Sequence, residues 1–269
     1  MSPEPRPRTV LDLPKWKAEG RRLVMLTCYD AVFARLVAEE VDILLVGDSL
    51  NQVIAGQETT LSATLDQMIY HAAAVRRGAP GSLLFVDLPF LTYQVTVADA
   101  IRNAGRVLQE TGADGVKLEG GQVMAETVRA LVDRGIPVMG HLGLTPQSVY
   151  ALGGYRVQGR TAEAADRVME DSRALEHAGA CAVVLELLPT EVARRVSAAL
   201  QVPTIGIGAG IGCDGQVLVL HDMLGLNEGF APKFLKHYAD LGASVRAAVR
   251  DYAGEVRGGQ YPGPEHSFE

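Results

Sequence analysis

With 269 residues, 48% of them apolar and 21% charged, the chain has the composition of a folded protein with a sizeable core, and wholesale disorder is excluded. A formal net charge of −7 argues against a general nucleic-acid binder and against docking on anionic membranes. Cys28, Cys181 and Cys213 are odd in number and show no CxxC spacing, so they supply neither a disulfide framework nor a zinc site and read as small core residues.

The N-terminal MSPEPRPRTV is not followed by an apolar h-region, and no uninterrupted apolar run approaches the length of a membrane span. A cytoplasmic location without membrane or nucleic-acid partners is expected. From there short apolar, β-branched runs recur in chain order: LVMLT from 23, ILLVGD from 43, LLFVD from 83, GVKLE from 115, IPVMGH from 136, AVVLE from 182, PTIGIG from 203 and QVLVL from 216. Between them lie amphipathic segments such as TLDQMIYHAAAVRRG, TVADAIRNAGRVLQETG, QVMAETVRALVDRG and TAEAADRVMEDSRALEHAG, which end in the glycine expected beyond a helix C-terminus. A last helix is expected over PKFLKHYADLGASVRAAVRDYAGEV. Strand and helix alternate throughout, which implies a parallel sheet with helical crossovers. Eight units in about 250 residues favour closure into a (β/α)8 TIM barrel. We therefore expect one barrel domain over 1–269, with a short N-terminal extension over about residues 1–20.

In such barrels chemistry sits where the strands end. Asp48 and Ser49 follow the second run, Asp87 ends the third, Lys117 and Glu119 close the fourth, His141 the fifth and Glu186 the sixth. Taken singly, Asp48 or Asp87 reads as an N-cap or turn residue. Together they stand on neighbouring strands about 4.8 Å apart. They can share one hard divalent ion such as Mg²⁺, with Glu119 joining directly or through water. Lys117 and Glu119, two residues apart, point to the same face, and the pair reads as an internal salt bridge, an electrostatic substrate group or, with a depressed pKa, a Schiff-base amine at Lys117. His141 can be a ligand, a substrate hydrogen-bond donor or a satisfied core histidine. Glu186, flanked by Val184, Leu185, Leu187 and Leu188, is expected to be partly desolvated and to act as a general base, the bland alternative being a buried structural carboxylate.

The glycine run GIGAGIG, Gly206 to Gly212, fails the GxGxxG spacing of a dinucleotide site. It suits tight turning or close approach to a ligand. A metal-chelated 2-oxo acid facing a glutamate base suggests enolate carbon–carbon chemistry.

These residues lie within VGDSL, AAAVRRGAP, DLPF, VKLEGG, GHLGLTPQSV, GGYRVQGR, GIGAG, DGQVLVLHD and YPGPEHSF, and with them the sequence resembles the ketopantoate hydroxymethyltransferase family from about Thr27 to the C-terminus. The resemblance implies a barrel of the phosphoenolpyruvate/pyruvate superfamily, a homo-decamer of two pentameric rings, and one Mg²⁺ per subunit. It also implies transfer of a one-carbon unit from 5,10-methylenetetrahydrofolate to 3-methyl-2-oxobutanoate, giving 2-dehydropantoate and tetrahydrofolate. On the matching positions Asp48 and Asp87 become Mg²⁺ ligands with Glu119 completing the site. Asp48, Ser49, Asp87 and Lys117 contact the 2-oxo acid, Glu186 accepts the proton, and His141 matches an active-site histidine. One departure stands in the loop GQETTLSAT, where Gln57 and Ser62 replace the family's histidine and proline. The rival readings are another metal-dependent 2-oxo acid lyase or mutase of the same superfamily, and a non-catalytic barrel with structural carboxylates.

Overall fold

The computed structural model describes residues 8–268, so the first seven residues of the expected N-terminal extension lie outside the described residues. The chain divides into two compact units, Met1–Val219 and Leu220–Glu269. In the first unit eight parallel strands close on themselves in sequence order, with β1 hydrogen-bonded to β8. They are β1 (Leu23–Thr27), β2 (Ile43–Val46), β3 (Leu83–Asp87), β4 (Gly115–Glu119), β5 (Val138–Gly143), β6 (Ala182–Glu186), β7 (Thr204–Ile207) and β8 (Gly215–Leu218). Each expected apolar run became one strand.

The helices before and between them are α1 (Leu13–Ala18), α2 (Ala31–Val37), α3 (Leu50–Val53), α4 (Leu65–Gly78), α5 (Val97–Thr111), α6 (Ala125–Val132), α7 (Ala162–Ala178) and α8 (Thr190–Ala199). Local chemistry sets their ends. Thr64, Thr96 and Thr161 occupy the N-caps of α4, α5 and α7, and their side chains accept from the backbone N–H of Gln67, Asp99 and Ala164. Gly112 and Gly179 stop α5 and α7 in the left-handed conformation, at φ 68° and 99°.

Strand alternation builds two layers. Met25, Ile43, Leu45, Leu83, Phe85, Met139, Val184 and Ile205 fill the barrel interior. Leu44, Val86, Val116, Leu118, Val183 and Leu185 point outward onto helical residues such as Met68, Val107, Leu131 and Leu175. Gly115 belongs to the inner set, because a Cβ there would lie 2.6 Å from the Phe85 ring that fills the barrel beside it. Leu13 of α1 packs against the inner cluster. Lys17 of the same helix donates to Ser197 O, Val202 O and Asp214 Oδ2, before β7 and β8, so α1 covers the N-terminal end of the barrel. The C-terminal strand ends, where barrels of this kind carry their sites, lie at the opposite end.

The second unit differs from expectation. The helix expected from Pro232 starts only at Leu241, as α10 (Leu241–Arg257), after the short α9 (Leu220–Met223). Tyr238 N and Leu241 N donate to Met223 O and Leu224 O, and the Asp240 side chain accepts from Ala243 N. Those bonds hold residues 238–241 outside helical geometry and cap the helix at Asp240. No described helix is long and apolar enough to cross a membrane.

Candidate active site

Strand parity explains which side chains meet. With Leu83 and Phe85 facing inward, Asp87 also faces inward; Gly115 is followed two and four residues later by Lys117 and Glu119; Met139 leads to His141 and Val184 to Glu186. Register sets their neighbours. Asp87 stands beside Lys117, and Glu119 beside His141, as Cα partners across β3–β4 and β4–β5.

The contacts follow. Lys117 Nζ lies 3.0 Å from Asp87 Oδ1, and Asp87 Oδ2 accepts from Asp48 N at 3.0 Å. Asp48 sits in the turn between β2 and α3, where the Ser49 hydroxyl is hydrogen-bonded to Tyr29 OH at 2.8 Å. His141 Nδ1 is 3.3 Å from Glu119 Oε1, and its Nε2 is 3.2 Å from Glu186 Oε2. Asp48, Asp87, Lys117, Glu119 and His141 are all buried, whereas the Glu186 side chain retains 16% of its surface. The residues expected from sequence therefore gather at one end of the barrel, with Glu186 on β6, opposite β2 in the closed ring.

Burial and the charges of Asp87 and Glu119 push the Asp48 carboxyl well above the usual carboxylate range, despite Lys117 and Gln147. Burial raises Asp87 as well, against the pull of Lys117. For Glu119 burial is outweighed by the hydrogen bond and charge of His141, and the group is lowered. Burial would depress Lys117, but Asp87, Glu119 and Asp48 outweigh it and hold the ammonium charged, the reverse of what a Schiff-base amine needs. His141 is opposed by burial and by Lys117, yet its bonds to Glu119 and Glu186 lift it to about 9. Its Nδ1 is also 3.1 Å from Lys117 Nζ and cannot accept there while it carries a proton. The doubly protonated ring, ion-paired with Glu119 and Glu186, fits the raised value.

Among the described residues no group of three or more His, Cys, Asp and Glu side chains is already gathered closely enough to hold a metal ion. Asp87 Oδ1 and Glu119 Oε1 are nevertheless buried without a well-aligned hydrogen bond. All-oxygen donors with lone pairs left over suit a hard divalent cation.

Sequence reasoning missed Gln147 and Tyr93, which are buried against this cluster, and Tyr155, which the loop after β5 brings to Gln52 Nε2 at 3.3 Å. Burial raises the Tyr155 phenol, and the charges of Glu186, Asp48 and Glu119 add to the shift. Gln147 lies in the GHLGLTPQSV stretch, but a reach from a 3₁₀ turn back to strand two leaves no mark in spacing. Ser62 Oγ accepts from Asn51 Nδ2 at 2.9 Å, while Gln57 is exposed. The glycine run packs on α8: a Cβ at Gly210 would lie 2.4 Å from Thr190 Oγ1, and one at Gly212 2.9 Å from Arg194 Cβ. Burial lifts the Cys28 and Cys181 thiols to about 11 and about 12, in keeping with core residues. A groove of about 580 Å³ beside α7 and α8, lined by Asp166, Arg173, Arg194 and Arg195, contains none of the rim residues.

A closed parallel barrel ringed by helices, with buried acidic and basic side chains at its strand ends, is a (β/α)8 barrel, and solved barrels superpose on it. Phosphonopyruvate hydrolase superposes with a TM-score of 0.64 at 11% identity, covering 97% of this chain and 92% of that chain. 2,3-Dimethylmalate lyase gives 0.61 at 18% identity, covering 96% and 93%. The ketopantoate hydroxymethyltransferase family profile matches residues 7–264. The 3-methyl-2-oxobutanoate hydroxymethyltransferase of Heliobacterium modesticaldum is 55% identical, over 97% of this chain and 95% of its own length. That of Syntrophotalea carbinolica is 53% identical, over 97% and 98%. The chain belongs to the ketopantoate hydroxymethyltransferase family and is a transferase.

Proposed function

We propose that the protein transfers the one-carbon unit of 5,10-methylenetetrahydrofolate to C3 of 3-methyl-2-oxobutanoate, with water supplying the hydroxyl, to give 2-dehydropantoate and tetrahydrofolate. The observation that carries this reading is Glu186, partly open and held at His141 Nε2, on the strand opposite the Asp48 turn. A carboxylate there faces the acidic C–H of a 2-oxo acid anchored across the barrel. Lys117 supplies positive charge for the substrate carboxylate, and Ser49 a hydroxyl for its oxygens. His141, charged and buried, pulls on the base and orients it. Glu186 removes the C3 proton, the carbon forms its new bond to the methylene carbon of the donor, the bonds from that carbon to the folate nitrogens break with protons going to nitrogen, and water adds the hydroxyl.

Asp48 and Asp87, with Glu119 through water, would hold Mg²⁺. When bound, the ion polarises the keto oxygen and stabilises the negative charge that develops there. Asp87 Oδ1 and Glu119 Oε1, which are ion-paired but make no well-aligned hydrogen bond, support this assignment. So does the oxalate and Mg²⁺ complex of the similarly folded phosphonopyruvate hydrolase. The same reading makes the working enzyme a single-barrel protomer of a cytoplasmic homo-oligomer, a decamer of two pentameric rings. Support comes from α10, which leaves Val245, Val249, Tyr252 and Val256 exposed along one side. A monomeric mass in sedimentation refutes the assembly alone.

The deciding experiment is proton NMR of 3-methyl-2-oxobutanoate in D₂O with protein and Mg²⁺ but without folate, comparing wild type with Glu186→Gln. Exchange at C3 that requires both the ion and Glu186 is expected. Exchange that survives the substitution overturns Glu186 as the base.

A further inference from the structure

The Gln147 side-chain amide has two donors and two acceptor positions, and all four are used inside the protein. Nε2 donates to Asp48 Oδ2 at 2.9 Å and to Leu88 O at 2.9 Å. Oε1 accepts from Tyr93 OH at 2.8 Å and from Gln94 Nε2 at 2.9 Å. The partners fix the orientation of the amide. Reversed, it would set its oxygen against a carboxylate and a carbonyl, and its NH₂ against the Gln94 amide nitrogen. The backbone N–H of the same residue donates to Glu119 Oε2 at 2.9 Å. One buried residue thus grips Asp48 with its side chain and Glu119 with its main chain, although the two carboxylates come from opposite sides of Asp87. Tyr93 closes the loop. Its hydroxyl donates to Gln147 and accepts from Glu119 N at 3.0 Å. Pro146 at the first position of the 3₁₀ turn Pro146–Ser148 presets the turn that delivers Gln147.

We infer that Gln147, held by Tyr93, is a positioning residue that fixes Asp48 and Glu119 at the place where the proposed divalent cation would bind. The inference rests on the proposed metal-dependent function. A fully satisfied amide has no freedom to rotate away without leaving buried polar groups unpaired, so Asp48 is fixed before any ion arrives. Removing such an outer hydrogen bond from a metal ligand costs about 10- to 100-fold in metal affinity.

The test is titration of the intact protein with Mn²⁺ alone, reading free Mn²⁺ by electron paramagnetic resonance, for wild type, Gln147→Met and Tyr93→Phe. Circular dichroism establishes that each variant is folded. The expected result is wild-type binding with about 10- to 100-fold weaker affinity in Gln147→Met. A folded Gln147→Met with a lowered melting temperature and wild-type Mn²⁺ affinity overturns the inference, because a purely packing role predicts that pattern. Should Gln147→Met fail to fold, Tyr93→Phe decides: weaker Mn²⁺ binding supports the inference and unchanged binding overturns it. A wild type that binds no Mn²⁺ overturns the metal-dependent reading itself, and the inference with it.

Discussion

Glu119 and His141 are Cα partners across β4 and β5, and their side chains meet at 3.3 Å inside the barrel. The raised pKa of His141 follows from that register and from Glu186 on the far side of the ring. Its sign sets a pH dependence. The folded ring keeps its proton up to about 9, whereas an unfolded histidine loses it near 6.5. The stabilisation is therefore complete below about 6.5 and is lost as pH rises through about 9. Denaturant midpoints of metal-free protein in EDTA should fall across that window, and His141→Gln should lack the fall. A wild-type midpoint that stays flat there refutes the charged, paired imidazole.

Lys117 is buried against Asp87 at 3.0 Å, so its removal leaves an uncompensated carboxylate beside Asp48. Lys117→Met should destabilise the metal-free protein by about 3–5 kcal/mol, the usual loss when one member of a buried pair is deleted. The double variant Lys117→Met, Asp87→Asn should recover much of it. Equal losses in single and double variants, measured by urea unfolding, would show that packing and not charge is responsible.

Much of this was legible in the sequence. The eight runs became the eight strands, and Lys117 and Glu119 share a face because two residues separate them on a strand. Three things were hidden. The start of α10 depends on backbone bonds to Met223 and Leu224, which a periodic pattern from Pro232 does not reveal. The role of the glycine run depends on Thr190 and Arg194 of α8. Gln147 and Tyr93 act through loops whose reach is fixed only when the barrel closes. Strand parity can be read from spacing, but loop-to-strand hydrogen bonds cannot.

Gly143 ends β5 at φ 91°, and a Cβ there would lie 2.1 Å from Glu186 O. Leu144 N donates to that same carbonyl. Gly143→Ala must therefore push the Glu186 backbone aside, and displacement of a reacting group by about 1 Å costs about 10²-fold in rate. The expected outcome is a large fall in kcat with Mn²⁺ affinity retained, because Asp48 and Asp87 are untouched. Loss of Mn²⁺ binding in a folded Gly143→Ala would refute this separation of base from ligands.

Asp48 should show stability and function pulling in opposite directions. Its folded pKa is raised by burial, Asp87 and Glu119, so the folded state holds a proton that the unfolded chain gives up near 3.8. Ionised Asp48 therefore costs stability, and the cost grows as pH rises above 3.8. Asp48→Asn removes the charge while its amide oxygen can still accept from Gln147 Nε2. In EDTA at neutral pH the variant should melt higher than wild type, by about 2–4 °C for each 1 kcal/mol relieved. The gain should shrink as pH falls towards 4. Mn²⁺ binding and turnover should both be lost, since the amide brings no charge to the ion. A site kept unstable for the sake of its ligand predicts this inversion. If Asp48→Asn melts lower than wild type in EDTA, the carboxylate is already satisfied by Gln147 and the Asp48 N-H side of the turn, and the stored repulsion does not exist.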